Sequence, residues 1–209
     1  MIKNTGRKVS VGCIVRPYSP MNKLRKYTYT ISDRTLGSLR IAIRPEVTST
    51  RSARAGLRLP IDSVAEAFLL AKLLYGSAES PLVFTKRAED SAMQSPFLRP
   101  EDVFRYLEHL WLFANRLRDS KGAIGKTYGE YFGSNGLGGY RHAVSQTALG
   151  CYASQYTTTH EGRVYRCDHH FTLGARCANT CLSIHFDTDP DSRRVIVTHC
   201  GRHLSNAKT

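Results

Sequence analysis

Two short segments near the C-terminus, LSIHF at 182–186 and RVIVTH at 194–199, decide the fold of this part of the chain. Apolar residues alternate along the first segment and β-branched residues dominate the second, and both features are typical of β-strands. The six residues between them, DTDPDS at 187–192, are residue types that favour turns. The pattern predicts a β-hairpin. The acids of its loop lack the central glycine and the late glutamate of a calcium-binding loop.

The hairpin lies in a region rich in histidine and cysteine. Residues 156–209 hold six of the eight histidines and four of the six cysteines. Thiolates and imidazoles that a hairpin brings together can close a tetrahedral zinc site, although no pair of cysteines separated by two residues is present. One interpretation is therefore a structural zinc ion, and its candidate ligands are Cys167, Cys177, Cys181 and Cys200.

The histidines support a second interpretation, a nuclease that needs no metal. Cleavage of RNA requires a base for the 2′-hydroxyl, an acid for the leaving oxygen and a cation for the charged transition state. A hairpin places His185 and His199 on adjacent strands, and the dense segment at 167–170 can fold against them. Each histidine could equally be an ordinary surface or core residue. The candidate catalytic residues are His170, His185, His199, Arg202 and His203, with Arg202 as the cation.

Residues 182–203 resemble the last two strands of the RelE/ParE-like toxins, which are small basic bacterial proteins. The matching segments are 182–186 and 195–202, in which an acidic turn separates two strands and the second strand ends at Gly201-Arg202. The resemblance implies a toxin, because some members of the family cleave mRNA on the ribosome and others act on DNA gyrase. The sequence departs from the family where Ser183 replaces an arginine, where the late tyrosine is missing, and in its greater length.

The middle of the chain has the periodicity of helices. Ser63-Val64-Ala65-Glu66 forms a capping box, which predicts a helix from Val64 to Tyr75 that ends at Gly76. Pro100, followed by two acids, predicts the start of a second helix. Apolar residues then recur at spacings of four, three, four and three, at Val103, Leu107, Leu110, Ala114 and Leu117. Shorter helices are predicted for 86–93 and 140–153.

The first 60 residues carry most of the positive charge. They hold 13 Lys and Arg against two acids, whereas the other 149 residues hold 17 against 15. Alternation predicts strands at 27–31 and 39–44, with basic side chains on one face. Such a surface attracts a polyanion, and each neutralised phosphate of a nucleic acid releases a counterion. The candidate nucleic-acid-binding residues are Lys23, Arg25, Lys26, Arg40, Arg44, Arg51, Arg54 and Arg58.

Residues 39–75 also resemble the positive-coactivator family, which binds single-stranded DNA on a curved sheet backed by a helix. The matching features are the strand at 40–44, the basic loop at 51–54 and Gly56-Leu57-Arg58-Leu59 ahead of the predicted helix. The resemblance implies that this part of the chain binds single-stranded nucleic acid.

The whole chain has the composition of a folded protein, with 209 residues, 41% hydrophobic residues and a formal net charge of +13. This excludes a wholly disordered chain. No apolar run approaches the roughly 20 residues of a membrane span, and the N-terminus lacks the apolar stretch of a signal peptide. We therefore expect a cytoplasmic protein with reduced thiols and no membrane partner.

We predict an α+β fold with a basic β-rich region at 1–60, a mainly helical region at 61–155 and a His/Cys-rich β-hairpin region at 156–209. The predicted function is nucleic-acid binding, either to RNA or to DNA, with ribonuclease activity of a toxin or defence type and no cofactor. Two alternatives remain open. One is a non-enzymatic nucleic-acid-binding protein with structural zinc, and the other is a module that docks on an acidic protein.

Overall fold

A computed structural model describes residues 61–175 and 180–205, and these residues contain both helices and β-sheet, which confirms the predicted α+β class. The predicted basic strands of residues 1–60, with their eight candidate nucleic-acid-binding residues, lie outside the described part of the chain. Cys177 lies outside it as well. The helical middle and the C-terminal region belong to one compact unit.

The helices begin where the sequence carries a start signal. Ser63 caps the first helix by accepting a hydrogen bond from the Glu66 amide at 3.2 Å, Thr85 caps the second, and Pro100 is the first residue of the third. A cap satisfies an amide that has no partner inside the helix, and these starts agree with the prediction. The helices are α1 (Val64–Tyr75), α2 (Lys86–Met93), α3 (Pro100–Asp119), α4 (Tyr128–Ser134) and α5 (Gln146–Tyr152), followed by a 3-10 turn (Ala153–Gln155).

Five of the strands form one mixed sheet. Its order is β1-β7-β6-β5-β2, in which β1 runs parallel to β7 and every other neighbour is antiparallel. Within the described residues, the remaining two strands, β3 and β4, form a separate two-stranded sheet. The strands are β1 (Leu82–Phe84), β2 (Tyr140–Arg141), β3 (Thr157–His160), β4 (Arg163–Arg166), β5 (His169–Gly174), β6 (Cys181–Asp189) and β7 (Arg194–Arg202).

The predicted C-terminal hairpin is confirmed, but its strands are longer than the sequence indicated. They extend to Asp189 and Arg194, which pair with each other, so the turn is shorter than the predicted loop at 187–192. The Asp189 carboxylate accepts hydrogen bonds from the amides of Asp191 at 2.9 Å and Ser192 at 3.3 Å. An aspartate that binds the backbone two and three residues ahead stabilises a tight turn, which lets the strands continue.

The helix predicted over 140–153 is wrong in its first half. Tyr140 and Arg141 form β2 and pair with Phe171 and His170 of β5. The Tyr140 ring packs 5.2 Å from the ring of Phe132 and 5.6 Å from that of Phe171. Aromatic packing at the sheet edge therefore overrides the local helical preference, and the helix begins at Gln146 instead.

The two faces of the sheet pack against different layers. One face carries Phe171, Ile184 and Phe186, which join α1 to α4 in a large apolar core. The other face lies beneath α5, the 3-10 turn and the β3–β4 hairpin, and we call these residues, 146–166, the cover layer. The second apolar cluster is small, and its buried members are Ala148, Tyr156, Cys167 and Leu204. None of the helices in the described ranges combines the length and hydropathy that a membrane span requires.

Candidate active site

Three histidines form a row across adjacent strands. His170 of β5 pairs with His185 of β6, and His185 pairs with His199 of β7. The rings of His170 and His185 are stacked with their centroids 4.7 Å apart, and the rings of His185 and His199 meet edge to face at 5.6 Å. We call these residues the histidine row. The predicted approach of the segment at 167–170 to the hairpin histidines is thus confirmed.

A backbone carbonyl fixes the tautomer of each imidazole. A carbonyl oxygen can only accept, so the ring nitrogen that faces it carries the hydrogen, and in the neutral ring the other nitrogen carries a lone pair. His203, which follows β7, shares this arrangement with the row. The pairs are His185 Nδ1 with the Cys167 oxygen at 2.7 Å, His199 Nε2 with that of Arg202 at 2.8 Å, His203 Nδ1 with that of Leu204 at 2.8 Å, and His170 Nδ1 with that of Asp168 at 3.3 Å.

Burial determines whether the histidines of the row are protonated and whether a substrate can reach them. It lowers the pKa of His185 well below its ordinary value, and it lowers the pKa of His199 to about 4. These two side chains are neutral near pH 7 and enclosed, since His185 is 2% exposed and His199 is 6% exposed. In this conformation neither can contact a substrate, although both were predicted as catalytic residues. His170, at one end of the row, is half-exposed, and so is His203, which follows β7.

Arg202, the predicted cation, lies on a different face from the row. Its backbone pairs with Leu182, a core residue of the face that packs against the helices. Side chains alternate between faces along a strand, so Arg202 is directed away from the face that carries His199. The structure therefore does not place this guanidinium beside the imidazoles.

Two other arginines lie near the row. Arg141 pairs with His170 across β2 and β5 and is exposed. Arg87 donates hydrogen bonds to the carbonyl oxygens of Gln155 and Thr157, so it is bound to the cover layer. Sequence reasoning missed both residues because only strand pairing and chain packing bring them to the histidines, and neither has a local signature.

The candidate zinc ligands are not gathered together in the described part of the chain. Cys167 lies beneath the cover layer, whereas Cys200 lies in the core on the helical side. Burial raises the pKa of both thiols, which favours their neutral forms. Cys181 is the first residue of β6. Within residues 61–175 and 180–205, no three His, Cys, Asp or Glu side chains are arranged to hold a metal ion.

The acidic turn of the hairpin has a structural role. Asp189 is bound by the Arg163 guanidinium at 3.0 Å and by the Tyr165 hydroxyl at 3.3 Å, so it ties β4 to the main sheet. Burial acts to raise the pKa of Asp189, but hydrogen bonds from Ser192 and Asp191 outweigh it and the pKa is lowered. A cleft of about 380 Å³ lies beside this group, with Val83 and Ile196 among the residues that line it.

Comparisons of the chain with protein-family models, curated proteins and solved structures give no match. The resemblances of residues 182–203 and 39–75 therefore stay predictions, and the function has to be inferred from the site itself.

Proposed function

We propose that the protein binds nucleic acid and cleaves RNA at the open end of the histidine row. The observation that carries this proposal is the grouping of His170, His203 and Arg141. Both His203 and Arg141 act electrostatically on His170 and help to lower its pKa, after the larger effect of burial. Two imidazoles and a guanidinium can supply the base, the acid and the cation that metal-independent cleavage of an RNA phosphodiester requires.

The tautomer and the exposure of each side chain indicate its role in cleavage. His170 donates its Nδ1 hydrogen to the Asp168 carbonyl and keeps Nε2 as a lone pair, so it suits the base that removes the 2′-hydroxyl proton. Its lowered pKa keeps this base neutral at physiological pH. His203 is the second imidazole and would protonate the leaving 5′-oxygen. Arg141 would stabilise the negative charge of the pentacoordinate phosphate.

Arg141 is available for a phosphate. Among the described residues its guanidinium donates only to the carbonyl oxygen of Tyr140, and it forms no ion pair with a carboxylate. A cation without a carboxylate partner attracts an external anion more strongly than one that is already neutralised. The 13 basic residues at 1–60 would supply the general affinity for the nucleic-acid backbone.

The test is cleavage of a single-stranded RNA by the full-length chain in the presence of EDTA. We expect strand scission of RNA, and binding without scission of a DNA of the same sequence, because DNA has no 2′-hydroxyl to act as the nucleophile. Salt-dependent binding of RNA and DNA without any scission would overturn the proposed cleavage but would support the proposed binding. Failure to bind either polymer at low salt would overturn the whole proposal.

A further inference from the structure

The surface between the sheet and the cover layer is unusually polar for a protein interior. Ser183, His185, Thr198 and His199 are all buried polar residues on the face opposite the large apolar core. The Nε2 atom of His185 is buried without a hydrogen-bond partner among the described residues. A buried polar atom without a partner raises the free energy of the closed form, and access to water would satisfy it.

Mainly polar contacts hold the cover layer in place. Its apolar cluster has four buried members, two of them the small residues Ala148 and Cys167, so the free energy gained from apolar burial is small. Polar links contribute the rest. They include the hydrogen bonds from Arg87 to two carbonyls of the layer and the bonds from Arg163 and Tyr165 to Asp189. The Arg166 amide also donates to Asp187 at 2.9 Å, and the Tyr156 hydroxyl donates to the Ser205 carbonyl at 2.7 Å. A layer held in this way can open before the main core does.

Backbone carbonyls, among them those of Cys167 and Arg202, favour a charged imidazole at His185 and His199, but burial outweighs them. The 3-10 turn leads to Tyr156 at 5.9 Å from the His185 ring, and the other neighbours are neutral or positively charged. Of the carboxylates in this region, Asp187 accepts hydrogen bonds from the amides of Arg166 and Thr188, and Asp168 lies 3.9 Å from the Arg166 guanidinium. The remaining titratable and charged neighbours are Cys167 before β5, His170 on β5, His203 after β7 and Arg87 on α2.

From this geometry we infer that the cover layer is an acid-released lid, which leaves the sheet when His185 and His199 take up protons while the helical side stays folded. Both histidines have a lowered pKa in the closed form and regain an ordinary value near 6.5 once water reaches them. As the pH falls below 6.5, the open form therefore binds protons that the closed form does not. Each histidine multiplies the opening equilibrium by up to about tenfold per pH unit. The release does not require that RNA be cleaved.

Three cysteines of the native chain report on this release. Cys151 is exposed, Cys167 lies under the cover layer and Cys200 lies in the core on the helical side. The experiment is labelling with dithiodipyridine, which reacts with thiols in acid, followed by peptide mass spectrometry. We expect only Cys151 of the three to react near neutral pH, and Cys167 to react as well at about pH 5, where the histidines favour opening.

A matched variant tests whether the histidines cause the release. In His185→Asn and His199→Gln, the amide nitrogen replaces the ring nitrogen that donates to the Cys167 or Arg202 carbonyl, but neither side chain titrates. We expect the double variant to protect Cys167 at about pH 5. The control His109→Gln changes a histidine of α3, on the helical side, and we expect it to keep the acid response of the unchanged chain.

Three results would overturn the inference. Protection of Cys167 at the acidic pH in the unchanged chain would show that the layer does not open. Simultaneous labelling of Cys200 would show general acid unfolding instead of release of one layer. An equal acid response in a folded double variant would exclude the two histidines as the cause. The first two readouts use the unchanged chain, so they decide the matter even if the double variant fails to fold.

Discussion

At the scale of single residues, the open end of the histidine row makes the sharpest prediction. In His170→Asn and His203→Asn, the amide nitrogen can still donate to the Asp168 or Leu204 carbonyl, while the second ring nitrogen is removed. We expect each variant to lower the rate of RNA cleavage by about 100- to 10,000-fold, the usual contribution of a positioned acid or base. Affinity for RNA should change little, because the basic region at 1–60 is intact.

The control for these variants is His142→Asn. This residue is exposed, and its ring contacts that of His169 edge to face at 5.4 Å, on the edge of the sheet beside the site. Cleavage should continue at nearly the normal rate. A loss as large as that of His170→Asn would indicate general damage to the sheet edge instead of loss of a catalytic group.

The pH dependence of cleavage is a second prediction at this scale. Burial lowers the pKa of His170, so the residue is a neutral base over more of the acidic range than a free imidazole. We expect kcat/KM to fall on the acidic side with a midpoint below about 6.5, the ordinary value for histidine. A midpoint above this value, measured with a short RNA at constant ionic strength, would contradict the assignment of His170 as the base.

Gly201 gives a prediction about stability. A Cβ atom at this position would lie 2.6 Å from the Ser91 carbonyl oxygen, which is backbone of α2. We expect Gly201→Ala to lower the free energy of unfolding by about 1–3 kcal/mol, the usual cost of an overpacked site. Gly150→Ala is the matched control, because a Cβ there has no neighbour within 4 Å. Urea unfolding of both variants measures the difference, and equal stabilities would contradict the close approach of α2.

At the scale of elements, Thr85 joins three of them. Its Oγ1 accepts a hydrogen bond from the Ala88 amide at 3.2 Å as the cap of α2, and donates one to the Val197 carbonyl of β7 at 2.9 Å. Thr85 itself follows β1 directly. Because the hydroxyl is buried and makes both bonds, its removal leaves a helix amide and a strand carbonyl without this partner.

We expect Thr85→Ala to lower the free energy of unfolding by about 2 kcal/mol, since it removes a helix cap and a buried hydrogen bond. Thr85→Ser should keep most of this stability. Ser145→Ala removes the exposed cap of α5 and should cost only about 1 kcal/mol. Thermal unfolding followed by circular dichroism compares the three variants, and similar values for Thr85→Ala and Ser145→Ala would argue against the link to β7.

The elements also show what the sequence was able to predict. Helix starts and the C-terminal hairpin depend on local signals, such as the Ser63 cap and the alternation at 182–186. The sequence therefore predicts these elements, and the structure contains them. The two residues of β2 are too few for any periodic pattern, and their pairing with β5 depends on residues about 30 positions away. The position of Arg141 beside His170 follows from that pairing, so the cation of the proposed site was missed and Arg202 was chosen in its place.

At the scale of the whole molecule, the uneven charge makes the last prediction. Deletion of residues 1–60 should weaken binding of RNA and DNA strongly at low salt, because the remaining residues carry 17 basic against 15 acidic groups. The dependence of log affinity on log salt should also become less steep, by about 0.7–0.9 for each phosphate that is no longer neutralised. Fluorescence anisotropy over a salt series measures both quantities. Equal affinity of the shortened chain would place the binding surface within residues 61–209.

The parallel pairing of β1 with β7 determines when, during synthesis of the chain, the proposed site can form. Leu82 pairs with Val195, so the sheet cannot close before more than 100 further residues have been synthesised. Contacts between such distant parts of a chain make folding slow. His199 and His203 belong to this last segment, so a ribosome-bound chain that lacks it has neither a closed sheet nor a complete site. A protein with the proposed activity would thereby spare the message and the ribosome that are still producing it.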